Sequence, residues 1–355
     1  MRQIIQTLSF MMIVLSSGAF IQQIKDGGAR AQGLENIARY DGFLNIIPVI
    51  WVVAVLFITL ILMLTNNIRS IKFSKPMLAL VMYCFLSTVW AVIPRVTFQA
   101  SLLIAVAYIL ICVQTALYGV HSTIRFFSLT LFLILTCSLI AVIFVPSYGI
   151  GIDFEGQIRW QGVFDHKNGL GNFAAISFLV FIWQYMQKKS KLLLMAALLA
   201  IVLAVGSQSG TALANIVLIF FIFTLLSYKF TAAVIYRLRY IITILLISLS
   251  FFAIFVSINF NEFSIFEKDS SFSGRNTIWI YVLSKVSESP WIGYGLNQLS
   301  ALISKNSAEF FTNVGFLVAT AHNGFIETAF SLGFVGILLV FWLFFSQLTI
   351  KTWRG

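Results

Sequence analysis

A polar stretch lies between two long apolar runs in the middle of the chain and contains several side chains that could do chemistry. Residues 161–172 read Gln-Gly-Val-Phe-Asp-His-Lys-Asn-Gly-Leu-Gly-Asn. His166, Lys167 and Asn168 supply an imidazole, an ammonium and a carboxamide, which can donate hydrogen bonds to sugars and phosphates. The ordinary alternative is that these residues are solvated positions at the start of a helix.

The glycines of this stretch could suggest a phosphate-binding loop. Such a loop follows a strand and has a fixed glycine spacing. We expect no strand before Gly162, Gly169 and Gly171, and their spacing fits no such motif. A nucleotide-binding loop is therefore not predicted.

A second candidate site lies at the start of the last apolar run, where residues 321–327 read Ala-His-Asn-Gly-Phe-Ile-Glu. Asn323 is expected to be the N-cap of a helix. The positive end of that helix dipole would then lie beside His322, which is a natural place for an anion. Arg275 could add a bidentate contact to a phosphate. The alternatives are that His322 is only a spacer and that Arg275 only reaches from the membrane interface to water.

Other polar residues predict neither a metal site nor a cofactor. Glu267 and Asp269 could form a carboxylate pair, but no histidine or further acid lies near them in the sequence. The three cysteines fall within apolar runs and are expected to be small buried hydrophobic residues. We therefore expect no metal, no cofactor and no disulfide framework.

The composition predicts an integral membrane protein. Of the 355 residues, 60% are hydrophobic and only 10% are charged, with a mean hydropathy of +0.96, far from the values of a soluble domain. Apolar runs of about 20 residues, long enough to span a bilayer, recur along the chain. The expected fold is all-α: a polytopic bundle of about ten transmembrane helices in a single domain over residues 1–355. The expected helices are 4–21, 43–64, 77–93, 98–118, 126–145, 169–187, 192–206, 211–227, 240–259 and 324–346.

The basic residues predict the orientation of the chain. With both termini in the cytoplasm, the inward segments contain Lys and Arg but no acidic residue, and all twelve acidic residues fall outside or at the outer boundary. The net charge of +11 is spread over short loops, so it indicates topology and not nucleic-acid binding. The first apolar run is expected to be a helix, because no signal-peptidase site follows it.

Two predicted external loops, residues 146–168 and 260–322, hold most of the polar residues. In the second, Ile278, Trp279, Val282, Leu283 and Val286 share one helical face and predict an amphipathic helix at the outer interface. Pro290 is expected to end that helix, and the glycines after it to form a turn. The apolar runs contain few ionisable groups, which argues against a solute transporter.

Taken together and in this order, the polar stretches resemble the O-antigen ligase and polysaccharide polymerase superfamily of bacterial membranes. The His-Lys-Asn-Gly form at 166–169 is most similar to the exopolysaccharide polymerase branch. The likeness rests on four stretches: Arg159–Gly169; Ser207–Thr211; Gly274 and Arg275 with Trp279, Pro290, Gly293 and Gly295; and Ala321–Gly324 with Gly333.

The resemblance implies a metal-independent glycosyltransferase of the cytoplasmic (inner) membrane. Its donor would be an undecaprenyl-diphosphate-linked oligosaccharide, and its acceptor a hydroxyl outside that membrane. The acceptor would be lipid A core in a ligase and another lipid-linked glycan in a polymerase, and both stay open. The resemblance further implies that His322 is the base and that Arg275 binds the donor diphosphate.

The chain departs from the superfamily at one functional position. A second arginine usually follows the small-residue motif, where this chain has Gly210. Arg159 or Lys167 is expected to replace it, with Asn168 and Asn323 as further substrate contacts and residues 161–172 as a rim of the donor site. A flippase or transporter and an inactive structural subunit stay open as alternatives. The chain also ends soon after its last span, whereas many members of the superfamily continue beyond it. A truncated product would end in this way.

Overall fold

The computed structural model describes residues 2–17, 71–152, 157–227, 275–305 and 320–348, with a few isolated positions between them. These residues are helical apart from connecting turns and two short antiparallel strands, β1 (Ile150–Ile152) and β2 (Ile158–Trp160). The helices are α1 (Arg2–Ser17), α2 (Lys75–Leu86), α3 (Pro94–Tyr118), α4 (Val120–Phe144), α5 (Pro146–Gly149), α6 (Lys167–Lys188), α7 (Lys191–Ser207), α8 (Gly210–Ser227), α9 (Arg275–Glu288), α10 (Leu299–Lys305) and α11 (Gly324–Leu348).

The described helices confirm a helical integral membrane protein. Four of them are long and apolar enough to cross a membrane: α3, α4, α6 and residues 324–346 of α11. Four others, α1, α2, α7 and α8, are apolar but shorter. The predicted spans 43–64 and 240–259 lie largely outside the described residues, so the total of ten spans stays a prediction.

The chain divides into two compact units, which are described separately. The first unit comprises residues 1–31, 49–71 and 109–234, and the second comprises residues 32–48, 72–108 and 235–355.

In the first unit, α6, α7 and α8 follow one another through very short connections. Lys189 and Gln208, with φ angles of 51° and 50°, end α6 and α7 in the left-handed conformation that is common after a helix. A short turn at Gln208 and Ser209 therefore joins α7 to α8. Small residues on α7 are buried, which lets neighbouring helices approach closely; they are Ala196, Ala197, Ala200 and Ala204.

In the second unit, the loop after α9 is bonded to the connection between α2 and α3. Gln298 is fully buried, and its amide accepts from the Ile93 N–H (2.8 Å) and donates to the Ile93 carbonyl (3.0 Å) and the Thr97 hydroxyl (2.8 Å). The helix predicted at 77–93 ends earlier than expected: α2 ends at Leu86, a 3₁₀ turn follows, and Pro94 starts α3 at a position that favours proline.

The last helix differs from the prediction of one continuous span, because it is broken at Gly333. This residue has φ 63° and ψ −164°, a conformation that is essentially restricted to glycine. The residues before the break, 324–332, include Ile326 and Phe330, which are buried against α9 and α10. The apolar run therefore forms two helical pieces and not a single rod.

The break frees backbone groups that the loop at 290–295 satisfies. The N–H groups of Tyr294 and Gly295 donate to the carbonyls of Phe330 and Ser331, both at 2.9 Å. In the other direction, the Phe334 N–H donates to the Pro290 carbonyl at 2.8 Å. Since unpaired peptide groups are costly in apolar surroundings, the loop and the break stabilise each other.

Gly333→Ala is expected to destabilise the protein strongly. An added Cβ would lie 2.3 Å from the carbonyl carbon and oxygen of Trp291, and the backbone conformation alone costs on the order of 1–3 kcal/mol for other residues. Thermal unfolding in detergent measures the effect. Gly324→Ala in the same helix is the matched control, because a Cβ there meets no atom within 4 Å. Equal midpoints for the two variants would contradict this account of the break.

Candidate active site

His322 lies in an exposed turn immediately before α11. Its φ of 52° is in the left-handed region, which costs a non-glycine residue roughly 1–2 kcal/mol. The side-chain oxygen of Asn323 accepts from the N–H groups of Phe325 (3.0 Å) and Ile326 (3.3 Å). The predicted N-cap is thereby confirmed, and His322 lies beside a helix N-terminus as expected.

The peptide that joins Ala321 to His322 is held by a tryptophan side chain. The indole Nε1 of Trp279 donates to the Ala321 carbonyl at 2.8 Å. Ala321 itself is fully buried. The sequence placed Trp279 on an apolar helix face and among the residues of the family resemblance, but it did not predict this bond, although the N–H of a tryptophan usually finds a partner when buried.

Helix α9 packs against this turn as the apolar pattern predicts. Its predicted face forms one cluster with α10 and the start of α11: Ile278, Tyr281 and Val282 are buried with Leu299, Leu302, Ile303, Ala321, Ile326 and Phe330, and Trp279, Leu283 and Val286 pack against them. Arg275 is the first residue of α9. It precedes Trp279 by four positions, which is about one 5.4 Å turn of the helix.

A polar contact ties the end of α9 to the loop that follows it. The Tyr294 hydroxyl donates to the Glu288 carboxylate at 2.9 Å, and the Lys285 ammonium lies 3.1 Å from the same carboxylate. Burial, followed by the bond to Glu288, raises the pKa of Tyr294 to about 12. The bonds from Tyr294 and Lys285 lower the pKa of Glu288. The stability that ionised Glu288 contributes to the fold is therefore present above the usual glutamate pKa. It is lost as the pH falls through the lowered pKa of Glu288.

The polar stretch at 161–172 lies in the first unit and has a buried part and an exposed part. Residues 161–164 are buried, and the Phe164 ring packs on Phe173 with 5.1 Å between centroids. Asp165 and His166 are exposed, and His166 is the N-cap of α6, with Nδ1 accepting from the Asn168 N–H at 3.2 Å. The interpretation of a helix start is confirmed for these residues. Their contact with a substrate stays a prediction.

A β-hairpin precedes this stretch, so the expectation that no strand comes before its glycines is wrong. Arg159 lies half-buried in β2, paired with Gly151 of β1. The indole of the next residue, Trp160, covers Gly206 so closely that a Cβ there would lie 2.1 Å from the ring. Three-residue strands carry too little alternation to be recognised in an apolar sequence.

The glycines serve packing in the first unit. A Cβ on Gly171 would lie 2.7 Å from the Ser209 Cβ and 2.9 Å from the Ser207 hydroxyl, so the start of α6 directly contacts the turn between α7 and α8. Gly210, at the start of α8, is exposed and has no atom within 4 Å of an added Cβ. A side chain that begins at this position therefore meets no steric obstacle at its Cβ.

The predicted site residues fall into two groups. Arg159, Lys167 and Asn168 lie at one end of the first unit, with the hairpin and the α7–α8 turn. The second unit contains the others, which are Arg275, His322 and Asn323. Within the described residues, no group of three or more His, Cys, Asp or Glu side chains could hold a metal ion.

Residues 193–341 match the family model described as O-antigen ligase. The match covers somewhat less than half of the chain, confirms the resemblance to the O-antigen ligase and polymerase superfamily, and indicates a membrane glycan ligase or polymerase. It includes Gly210, Arg275 and His322 but not Arg159 or Lys167. Comparison of the chain with curated proteins and with solved structures finds no match.

Asn323→Ala is expected to lower the free energy of unfolding by about 1 kcal/mol, the usual cost of removing a helix cap. Asn323→Asp is expected to retain most of the stability, because its carboxylate can accept the same two N–H bonds and a negative charge is favourable at a helix N-terminus. Thermal or denaturant unfolding of the detergent-solubilised protein measures both. If Asn323→Asp unfolds as easily as Asn323→Ala, the side chain does not act as the cap.

Proposed function

We propose that the protein is a membrane glycosyltransferase that moves a saccharide from an undecaprenyl-diphosphate donor to an acceptor hydroxyl on the outer side of the bacterial cytoplasmic membrane. The product would be a polymerised exopolysaccharide or O-antigen chain, or a glycan ligated to lipid A core. The main support is the turn at His322: an exposed histidine in a costly backbone conformation, beside a capped helix N-terminus, within the segment that matches the O-antigen ligase family.

His322 is suited to be the general base. A neutral imidazole can accept a proton at physiological pH, and exposure leaves it accessible to an acceptor hydroxyl. Strained backbone that is held in place by its surroundings is typical of functional sites. The hydroxyl oxygen would attack the anomeric carbon as its proton passes to His322, and direct displacement would invert the anomeric centre.

The departing group would be undecaprenyl diphosphate, whose growing negative charge needs stabilisation. The N-terminus of α11 offers backbone N–H groups and a positive dipole end next to His322. Arg275, one turn before Trp279 on α9, would bind the diphosphate bidentately, and Asn323 would add a contact through its amide nitrogen. These groups supply electrostatically what a metal ion supplies in other transferases.

In each unit, the connections that are predicted to be external contact one another, which supports their lying together on one outer face. In the first unit, the hairpin, the start of α6 and the α7–α8 turn contact one another. In the second unit, the α2–α3 connection and the loop after α9 do so. All of these segments were assigned to the outside by the distribution of basic residues. We therefore place both groups of candidate residues outside the cytoplasm.

His322→Ala is expected to reduce glycan synthesis about 10²- to 10⁴-fold, because a positioned base contributes about that much. The measurement is gel analysis of surface glycans in a deletion strain complemented with each variant, alongside the protein level in the membrane. His121→Ala is the matched control, since His121 is also exposed and is predicted on the cytoplasmic side. Nearly full activity of His322→Ala would reject the base assignment.

The same gels separate the functional alternatives. Loss of all lipid A-linked chains in the deletion strain indicates a ligase, and products with a single repeat indicate a polymerase. Unchanged surface glycans would contradict the proposed function and favour a transporter or a structural subunit.

We propose that Arg159 binds the donor diphosphate in place of the arginine that the superfamily usually has at the position of Gly210. We expect Arg159→Ala to abolish most activity and Arg159→Lys to restore only part, because lysine cannot bind a phosphate bidentately as arginine does. Lys167 is the reserve candidate. Arg125→Ala, which changes an exposed arginine predicted on the inner side, is the matched control.

Introducing Gly210→Arg into the Arg159→Ala protein tests whether the two positions are equivalent. A Cβ at position 210 meets no atom within 4 Å and the position is exposed, so we expect a partial recovery of glycan synthesis. Full activity of Arg159→Ala alone would remove this residue from the site, and full activity of Arg159→Lys would indicate that it only anchors the hairpin at the headgroups.

A further inference from the structure

We infer that Trp279 is a positioning residue, which fixes the place and orientation of His322 through the peptide that joins Ala321 to His322. The inference rests on the proposed function, in which His322 is the base. Nothing in the family match or in the sequence pattern gives Trp279 this part.

The geometry of the peptide carries the inference. The Ala321 carbonyl belongs to the peptide plane whose rotation sets the φ angle of His322. Trp279 donates to that carbonyl at 2.8 Å. On the other side of His322, the side-chain oxygen of Asn323 accepts from the Phe325 and Ile326 N–H groups and caps α11. His322 therefore lies between a peptide held by Trp279 and the capped start of α11.

The indole is partly buried against the apolar cluster. Trp279 packs on the buried cluster between its neighbours in the helix, Ile278 at 1% exposed and Val282 at 0% exposed. A side chain confined in this way loses little further freedom when it forms a hydrogen bond. Helix α9 thus fixes the position of the turn that contains His322.

The same helix begins at Arg275, the proposed diphosphate-binding residue. Arg275 and Trp279 are one helical turn apart, so α9 fixes the spacing between the donor contact and the base. Catalysis by a base requires the reacting groups to be aligned, and a displacement of about 1 Å can cost about 10²-fold in rate. Loss of the indole bond is therefore expected to affect the chemical step more than donor binding.

Trp279→Phe removes the N–H donor while keeping an aromatic ring in the cluster. We expect kcat to fall about 10- to 100-fold while the KM for the lipid-linked donor stays within about two-fold, because Arg275 and the cluster are retained. The assay uses the full-length protein in proteoliposomes with an undecaprenyl-diphosphate oligosaccharide as donor.

Trp90→Phe is the matched control. The Trp90 indole makes the same kind of bond in the same unit, from Nε1 to the Ile292 carbonyl at 3.2 Å, and this carbonyl lies in the loop after α9 and not in the His322 turn. Its removal is expected to cost comparable stability and to leave kcat within about two-fold. An equal fall of kcat in the two variants would show a general loss of folding and would overturn the inference.

Backbone hydrogen exchange, followed by mass spectrometry, gives a readout that does not need activity. Trp279→Phe is expected to speed exchange at residues 320–327, and Trp90→Phe at residues 290–298 instead. Unchanged exchange at 320–327 in Trp279→Phe overturns the inference whatever the activity. Faster exchange with unchanged kcat also overturns it. If the wild-type protein transfers no saccharide, the proposed function fails, and the exchange data still decide whether Trp279 holds the turn.

Discussion

The backbone break at Gly333 is the constraint on which the second unit depends. A break inside an apolar helix exposes peptide groups that no solvent can satisfy there, so another backbone must approach closely enough to pair with them. The loop at 290–295 does this, and Gly293 permits the approach because a Cβ at that position would lie 2.5 Å from the Phe330 carbonyl oxygen. Gln298 then ties the loop to the α2–α3 connection. The piece of α11 before the break can therefore pack on α9 and present His322.

The motif residues of the superfamily consequently divide into two kinds. Pro290, Gly293 and Gly333 shape the backbone around the break, whereas Arg275 and His322 have side chains that can act on a substrate. A chain could retain Pro290, Gly293 and Gly333 for folding alone. The functional conclusion therefore depends on the second kind and, in the first unit, on whether Arg159 replaces the arginine absent at Gly210.

Part of this arrangement could be predicted from the sequence, because some features depend on local patterns. The apolar face of α9 follows from its 3.6-residue period, and the cap at Asn323 follows from residue type next to an apolar run. The break at Gly333 could not be predicted, since hydrophobicity continues across it and only the conformation of one glycine reveals it. The hairpin at β1 and β2 was missed because its strands are too short to show alternation, and the bond from Trp279 to Ala321 joins residues that are distant in sequence.

The central claim is that saccharide leaves a lipid diphosphate at the outer face of this protein. The most direct test is to incubate the purified full-length protein in proteoliposomes with an undecaprenyl-diphosphate oligosaccharide and a glycan acceptor, in the presence of a chelator, and to quantify lipid products by mass spectrometry. The account predicts that undecaprenyl diphosphate is released in equal amount to the saccharide transferred, and that the chelator does not prevent this. An intact donor that has only moved between the leaflets would contradict the account and indicate a transporter.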